Sequence, residues 1–289
     1  GPAGAPAKLG DGLLEITCGY DSMGRLTDRL HTVSGEQEYC LQVSYNNIGK
    51  IKQKAETVAG LSAIYEYMYD SIGQLTEVKK NGAVSESYGY DGNGNRTGKQ
   101  LGSYPPENAT YDLQDRLISL GGSSYTFDTD GFLTRRGDDT FLYSAAGELL
   151  KAALANGNVV VYAYDGTGRR VARTVNGQTC QYLYGNLGNP YQITATKDAA
   201  GLSTYYYDSM GFLFALERQG SRYYVATDQV GSPRLVADSS GAVIKTLGYD
   251  SFGNLTSDSN PDFFLPVGFA GGMADADTGL LQFGFRDYD

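Results

Sequence analysis

Asp277-Thr278-Gly279 spells the tripeptide of pepsin-like proteases. Those enzymes work with two carboxylates that share one proton. The sequence contains no second copy of the tripeptide, so the partner acid is missing and the protease reading fails. Asp91-Gly92-Asn93-Gly94-Asn95 begins like a calcium loop. A loop of that type needs glycine at its sixth position and glutamate at its twelfth, where this chain has Arg96 and Gly102. The one histidine, His31, has no second histidine with which to build a zinc site, and a Ser-His-Asp triad around it has no support in spacing. It reads as a surface or strand residue. Cys18, Cys40 and Cys180 are odd in number and irregular in spacing, which fits neither a disulfide framework nor a paired zinc motif. They read as small apolar strand residues. Asn95-Arg96-Thr97, Asn108-Ala109-Thr110 and Asn254-Leu255-Thr256 are glycosylation sequons, relevant only to a secreted eukaryotic protein. No catalytic residue, metal site or cofactor is expected.

The residues that recur are of another kind. YDSMGRL at 20–26 returns as YDSIGQL at 69–75, YDSMGFL at 207–213 and YDSFGNL at 249–255. Aligned on Tyr-Asp-x-x-Gly-x-Leu, copies begin at Tyr20, Tyr45, Tyr69, Tyr90, Tyr111, Phe127, Tyr143, Tyr164, Tyr184, Tyr207 and Tyr249. A degenerate copy surrounds Asp228 and Gly231, without the tyrosine. The period is about 20 residues, which marks a repeat architecture. The strongest copies place the structural turns at Tyr20, Asp21 and Gly24; Tyr69, Asp70 and Gly73; Tyr90, Asp91 and Gly94; Tyr164, Asp165 and Gly168; Tyr207, Asp208 and Gly211; and Tyr249, Asp250 and Gly253.

The elements that position these residues follow from their chemistry. Asp accepts hydrogen bonds from backbone N–H groups one or two residues on, as in an Asx-turn. The glycine supplies the positive φ that completes the reversal. The flanks alternate, as in Tyr65-Glu66-Tyr67-Met68-Tyr69 and Gln74-Leu75-Thr76-Glu77-Val78, so each heptad joins two strands of a β-hairpin. Second turns are expected at Ser34-Gly35, Asn81-Gly82, Asn156-Gly157, Asn176-Gly177 and Ser240-Gly241. A tyrosine at one place in every hairpin predicts a row of rings, each contributing roughly 0.2–1 kcal/mol through cross-strand contact. The polar tip of tyrosine suits a wet sheet face rather than a dry sandwich.

Composition agrees. Glycine numbers 39, tyrosine 24 and tryptophan 0, which suits short strands and tight turns. The net charge of −10 argues against nucleic acid and against an anionic membrane surface. No apolar run is long enough to span a bilayer.

The Tyr-Asp heptads resemble the YD repeats of rearrangement-hotspot (Rhs) proteins, of toxin-complex cocoon subunits and of the teneurins. Residues 223–255 and 264–289 look like the Rhs-associated core, with Phe269, Gly271, Asp277, Thr278, Gly279, Leu280, Arg286, Tyr288 and Asp289 on its pattern. The resemblance implies an all-β fold of repeated antiparallel β-hairpins forming a spiralling, single-walled curved sheet, a YD-repeat shell or barrel segment. The expected division is an appended or flexible leader at 1–10, a YD-repeat hairpin array at 11–219, and the last repeats with a truncated Rhs-associated core at 220–289. The phenylalanine-rich tail either tucks inward as a plug or is disordered. The function implied is a non-enzymatic shell segment that encapsulates or displays a C-terminal, toxin-like polypeptide. The family's self-cleaving aspartyl protease lies in a stretch beyond Asp289. The alternative is an adhesion module that recognises carbohydrate or protein through exposed tyrosines. Expected partners are the rest of the same polypeptide, with a carbohydrate or a cell-surface protein as further candidates, and the expected address is secreted or cell-surface, in a bacterial source.

Overall fold

A computed structural model describes residues 8–10 and 12–289. Most of the expected leader lies outside the described residues. Lys8–Gly10 does not: it forms a strand paired with Leu14–Tyr20, in the register Lys8↔Thr17.

The chain is nearly all β, and 25 strands belong to one sheet. In the registered pairs of that sheet the partner is the next strand in sequence, and every such pair is antiparallel. This meander is what the heptads dictate. Strand Leu61–Tyr69 runs into the turn at Asp70 and returns as Leu75–Lys80, which reverses at Asn81-Gly82 into Ala83–Tyr90. Just before Tyr20, Tyr69 and Tyr207 the register slips by one residue, so Tyr20 faces Leu26, Tyr69 faces Leu75 and Tyr207 faces Leu213. The slip is the G1 bulge of a type I turn closed by a left-handed glycine.

The second turns split into two kinds. Ser34-Gly35, Asn81-Gly82 and Asn176-Gly177 have positive φ at both residues, the signature of a two-residue type I′ hairpin. Asn156-Gly157 and Ser240-Gly241 differ. There Gly157 N–H reaches the Leu154 carbonyl and Gly241 N–H the Asp238 carbonyl, so both copy the heptad turn instead.

The chain forms two compact units: residues 1–43, 55–62 and 162–289, and residues 44–54 and 63–161. The second unit buries few side chains, chiefly Val78, Tyr88, Phe141, Leu149, Ala152 and Val160. The first holds the larger core, in which Tyr182, Tyr205, Leu213, Leu216, Val225, Val236 and Leu247 meet Leu265, Val267 and Met273 from the tail. Of the two expectations for the tail, the structure shows packing against the hairpins. Tyr224–Ala226 and Pro233–Ala237 are buried at successive positions, so both faces of these strands are covered. The expected wet face does not hold there.

Also within the first unit, early hairpins lie against late ones. Ser34 Oγ donates to the Ser239 carbonyl 205 residues on, at 2.8 Å. The Arg234 guanidinium meets Glu56 at 3.0 Å across 178 residues.

Candidate functional site

The predicted turn residues adopt one geometry. At Asp21, Asp70, Asp91, Asp165, Asp208 and Asp250, the backbone N–H donates to the carbonyl four residues on, at 2.9–3.0 Å. The glycine N–H at 24, 73, 94, 168, 211 and 253 returns to the Asp carbonyl, at 2.9–3.2 Å. Each Asp Oδ1 accepts the N–H two residues on and also the N–H four residues on; for Asp21 both are 2.9 Å, and for Asp70 they are 3.0 and 2.8 Å. The sequence expectation reached only the nearer donor, yet the farther one ties the carboxylate across the whole turn. The second oxygen is used as well. Arg25 Nε donates to Asp21 Oδ2 and Arg169 Nε to Asp165 Oδ2, both at 2.7 Å. These bonds favour the ionised form. The carboxyl of Asp21 is held below the usual range chiefly by the Arg25 backbone N–H, that of Asp91 chiefly by the Asn95 side chain, and that of Asp165 chiefly by Thr167.

The tyrosines do more than line up. Tyr69 Oη donates to the Ile51 carbonyl at 2.8 Å, Tyr90 to Leu75 at 2.8 Å, Tyr111 to Arg96 at 2.9 Å and Tyr184 to Arg170 at 2.7 Å. In each case the acceptor is the seventh residue of the preceding heptad. Tyr207 reaches Ile193 at 2.7 Å, displaced because the 184–194 loop is longer and Gly188 does not take a positive φ. Successive repeats are therefore bolted by phenol-to-carbonyl rungs. The polar tip answers a backbone acceptor rather than water. Burial raises the phenol pKa of Tyr69, Tyr90 and Tyr111, and raises those of Tyr184 and Tyr207 further. A backbone acceptor has no residue identity, so the sequence carried no sign of it.

Charged groups buried in the first unit also have structural partners. His31 is a buried strand residue, not a surface one, and its Nε2 accepts Arg29 Nε–H at 2.8 Å. Arg29 continues to Asp208 at 3.3 Å. Tyr39 Oη donates to Glu56 at 2.8 Å, and Glu56 is the carboxylate that meets Arg234. In the Asp-Thr-Gly segment, Arg173 binds Asp275 at 2.8 and 3.0 Å and also binds Asp277, and Tyr162 Oη donates to Asp275 at 2.6 Å. Burial alone would raise the Asp275 carboxyl, but Arg173 outweighs it and keeps the group below the usual range. The arginines at these joints have no local motif; their only sequence signal is a cation at an inward strand position.

Among the described residues no group of three or more His, Cys, Asp or Glu side chains could hold a metal ion. Asp91 instead shares Asn95 with Asp115, at 3.0 and 2.7 Å. Among the described residues no helix is long and apolar enough to cross a membrane.

Three comparisons agree with this geometry. Teneurin-3 of Danio rerio is 36% identical over 290 residues, covering 96% of this chain and 11% of that protein. Teneurin-1 of Homo sapiens is 38% identical over 282 residues, covering 93% and 10%. Teneurin-m of Drosophila melanogaster is 32% identical over 274 residues, with coverage of 93% and 10%. The chain thus spans about a tenth of the curated relatives it matches, and these are animal proteins, which gives the expected bacterial source no support. Among solved structures, the crystal structure of TcdB2-TccC3 shares the fold, with a TM-score of 0.58 at 16% identity, over 96% of this chain and 19% of that one. The family model described as the teneurin YD-shell matches residues 7–289, and the chain belongs to that family.

Proposed function

We propose that this chain is a non-catalytic wall segment of a larger cell-surface protein, whose work is to hold a fixed surface and to present or enclose a polypeptide. The observation that carries this reading is the set of rungs from heptad tyrosines to the preceding repeat's carbonyls. They spend the recurring functional group on joining one hairpin to the next. The named buried charges are likewise bound to structural partners rather than aimed at open space. Presentation is favoured over enclosure by the match to animal teneurins across nearly the whole chain.

The tyrosine rungs weaken the carbohydrate reading for the heptads, because those rings are half-buried and their hydroxyls are engaged. Sugar stacking falls instead to an open ring such as Tyr104, which is 74% exposed.

A reporter peptide with protease sites, fused after Asp289, separates the two roles. Presentation predicts digestion at the rate of the free peptide; protection of the reporter would favour enclosure. Intact mass after prolonged incubation of the purified chain should not change, and internal self-cleavage would overturn the non-catalytic reading.

A further inference from the structure

The three sequons are not equivalent once folded. Asn95 Nδ2 spends both of its hydrogens, on Asp91 and on Asp115. Asn254 Nδ2 donates to Asp250 Oδ2 at 2.7 Å. Both amides are parts of heptad turns. Asn108 is different. It is exposed on the strand Glu107–Tyr111, and its carbonyl accepts Gly121 N–H at 3.1 Å. No described group is hydrogen-bonded to its side-chain amide.

The residues beside Asn108 supply a second observation. Across one strand boundary it faces Gly98, and Gly98 in turn faces Gly89. On the other side lies Gly121. Directly opposed residues share a sheet face, so Asn108 stands in a lane without side chains. Gly98 needs no positive φ, and a Cβ there would meet only the Gly89 nitrogen at 3.8 Å, an ordinary contact. Neither backbone conformation nor crowding within the chain explains this glycine. Glycine inside a strand weakens it and often marks close approach of something else. An open depression of about 450 Å³, bordered by Tyr104, Pro105, Pro106, Gly121 and Gly122, adjoins Asn108.

We propose that Asn108 is the N-glycan acceptor of this chain and that the glycine lane seats the first sugar. The inference rests on the cell-surface reading, since the donor is a lipid-linked oligosaccharyl diphosphate of the secretory pathway. The Asn108 Nδ2–C1 bond forms as the C1–O bond to the diphosphate breaks. The amide loses one proton, and the lipid diphosphate leaves. A glycan on Asn95 Nδ2 would replace a hydrogen that the folded turn uses, whereas one on Asn108 displaces no described bond.

The test expresses the 289-residue chain behind a secretion signal in cultured animal cells and measures intact mass before and after peptide N-glycosidase. One oligosaccharide is expected. It should be lost in Asn108→Gln and in Thr110→Ala, and retained in Asn95→Gln and Asn254→Gln. No oligosaccharide, or one that survives Asn108→Gln, overturns the assignment. Gly98→Val tests the lane: secreted yield should fall several-fold and recover in the double variant with Asn108→Gln. Undiminished yield of glycosylated Gly98→Val overturns the lane. Surface labelling of the native protein tests the cell-surface reading separately, so acceptor competence and cellular address can fail independently.

Discussion

Replacing Tyr90 by phenylalanine removes one rung and nothing else. The ring stays, and the bond lost is the 2.8 Å contact from its hydroxyl to the Leu75 carbonyl. A hydrogen bond of this kind contributes about 0.5–1.5 kcal/mol net, and more when the abandoned acceptor is sealed from water. Tyr90 is only part-buried, so water can reach the carbonyl, and about 1 kcal/mol is the expected loss. Tyr69 and Tyr111 make the adjoining rungs in the same unit. Because the sites share a repeat array, the triple phenylalanine variant should lose roughly 2–4 kcal/mol. In such an array, stability is set by repeats plus nearest-neighbour interfaces, and the rungs are interface terms. The triple variant should therefore lose cooperativity too, with a lower m-value or a split transition in urea. Tyr104→Phe is the control, since that ring is 74% exposed; it should shift stability by less than about 0.5 kcal/mol. A triple variant whose midpoint and slope match those of the control would refute the claim that the hydroxyls join the repeats.

Stability should fall with acid through His31. The group is fully buried, and burial first, then Arg29, pushes its pKa well below the ordinary value. The unfolded chain binds the proton first, so stability present above about pH 6.5 falls by about 1.4 kcal/mol per pH unit below it; His31→Gln should flatten that slope in a pH series of urea midpoints. Gly231→Ala should cost more than Gly82→Ala. Both have positive φ, but a Cβ at 231 would lie 2.7 Å from the Phe212 ring while one at 82 meets nothing within 4 Å; the shared left-handed term is roughly 1–2 kcal/mol, and equal thermal shifts would refute the contact. Arg173→Met leaves Asp275 buried without its cation, a loss of about 3–5 kcal/mol, and proteolysis within 264–289 should accelerate in parallel.

How much of this was legible depended on whether the relevant partner had an identity. The Asp and Gly of each heptad announce their own conformations, and each strong copy lands in the same turn. The closing turns show the limit. Asn156-Gly157 and Asn81-Gly82 are the same dipeptide, yet one is a bulged four-residue reversal and the other a type I′ turn. What separates them is strand register, set by contacts outside the dipeptide. The joint between early and late hairpins was not legible at all. Arg29 and Asp208 are 179 residues apart, and nothing local to either names the other. The tail was half-readable: of the phenylalanines that suggested burial, Phe263 packs against the core and Phe269 meets Tyr249, but Phe285 is 65% exposed, and Leu265, Val267 and Met273 join the contact without any such signal.

One repeat tests why the chain keeps tyrosine at this position rather than any aromatic. Phe127 occupies the heptad's first place, faces Leu133 across its turn as the tyrosines face their own partners, and lies under the Arg116 guanidinium at 5.7 Å. It has the ring and lacks the hydroxyl, so it cannot make a rung to its predecessor, whose seventh residue is Leu117. If ring burial alone joined the repeats, this junction would match its neighbours. If the phenol does, Leu117–Leu120 and Ser123–Phe127 form a weaker junction than one with a rung, consistent with their pairing at only Ser119↔Ser124 and Leu120↔Ser123 against four pairs between Leu75–Lys80 and Ala83–Tyr90. Amide hydrogens there should exchange faster than those of Leu75–Lys80. Phe127→Tyr should then stabilise the chain by about 0.5–1.5 kcal/mol and slow exchange across that junction, which is the reverse of the usual effect of adding a polar atom to a packed ring. A neutral or destabilising Phe127→Tyr, with exchange unchanged, would mean that the rungs are a consequence of hairpin stacking and not its cause.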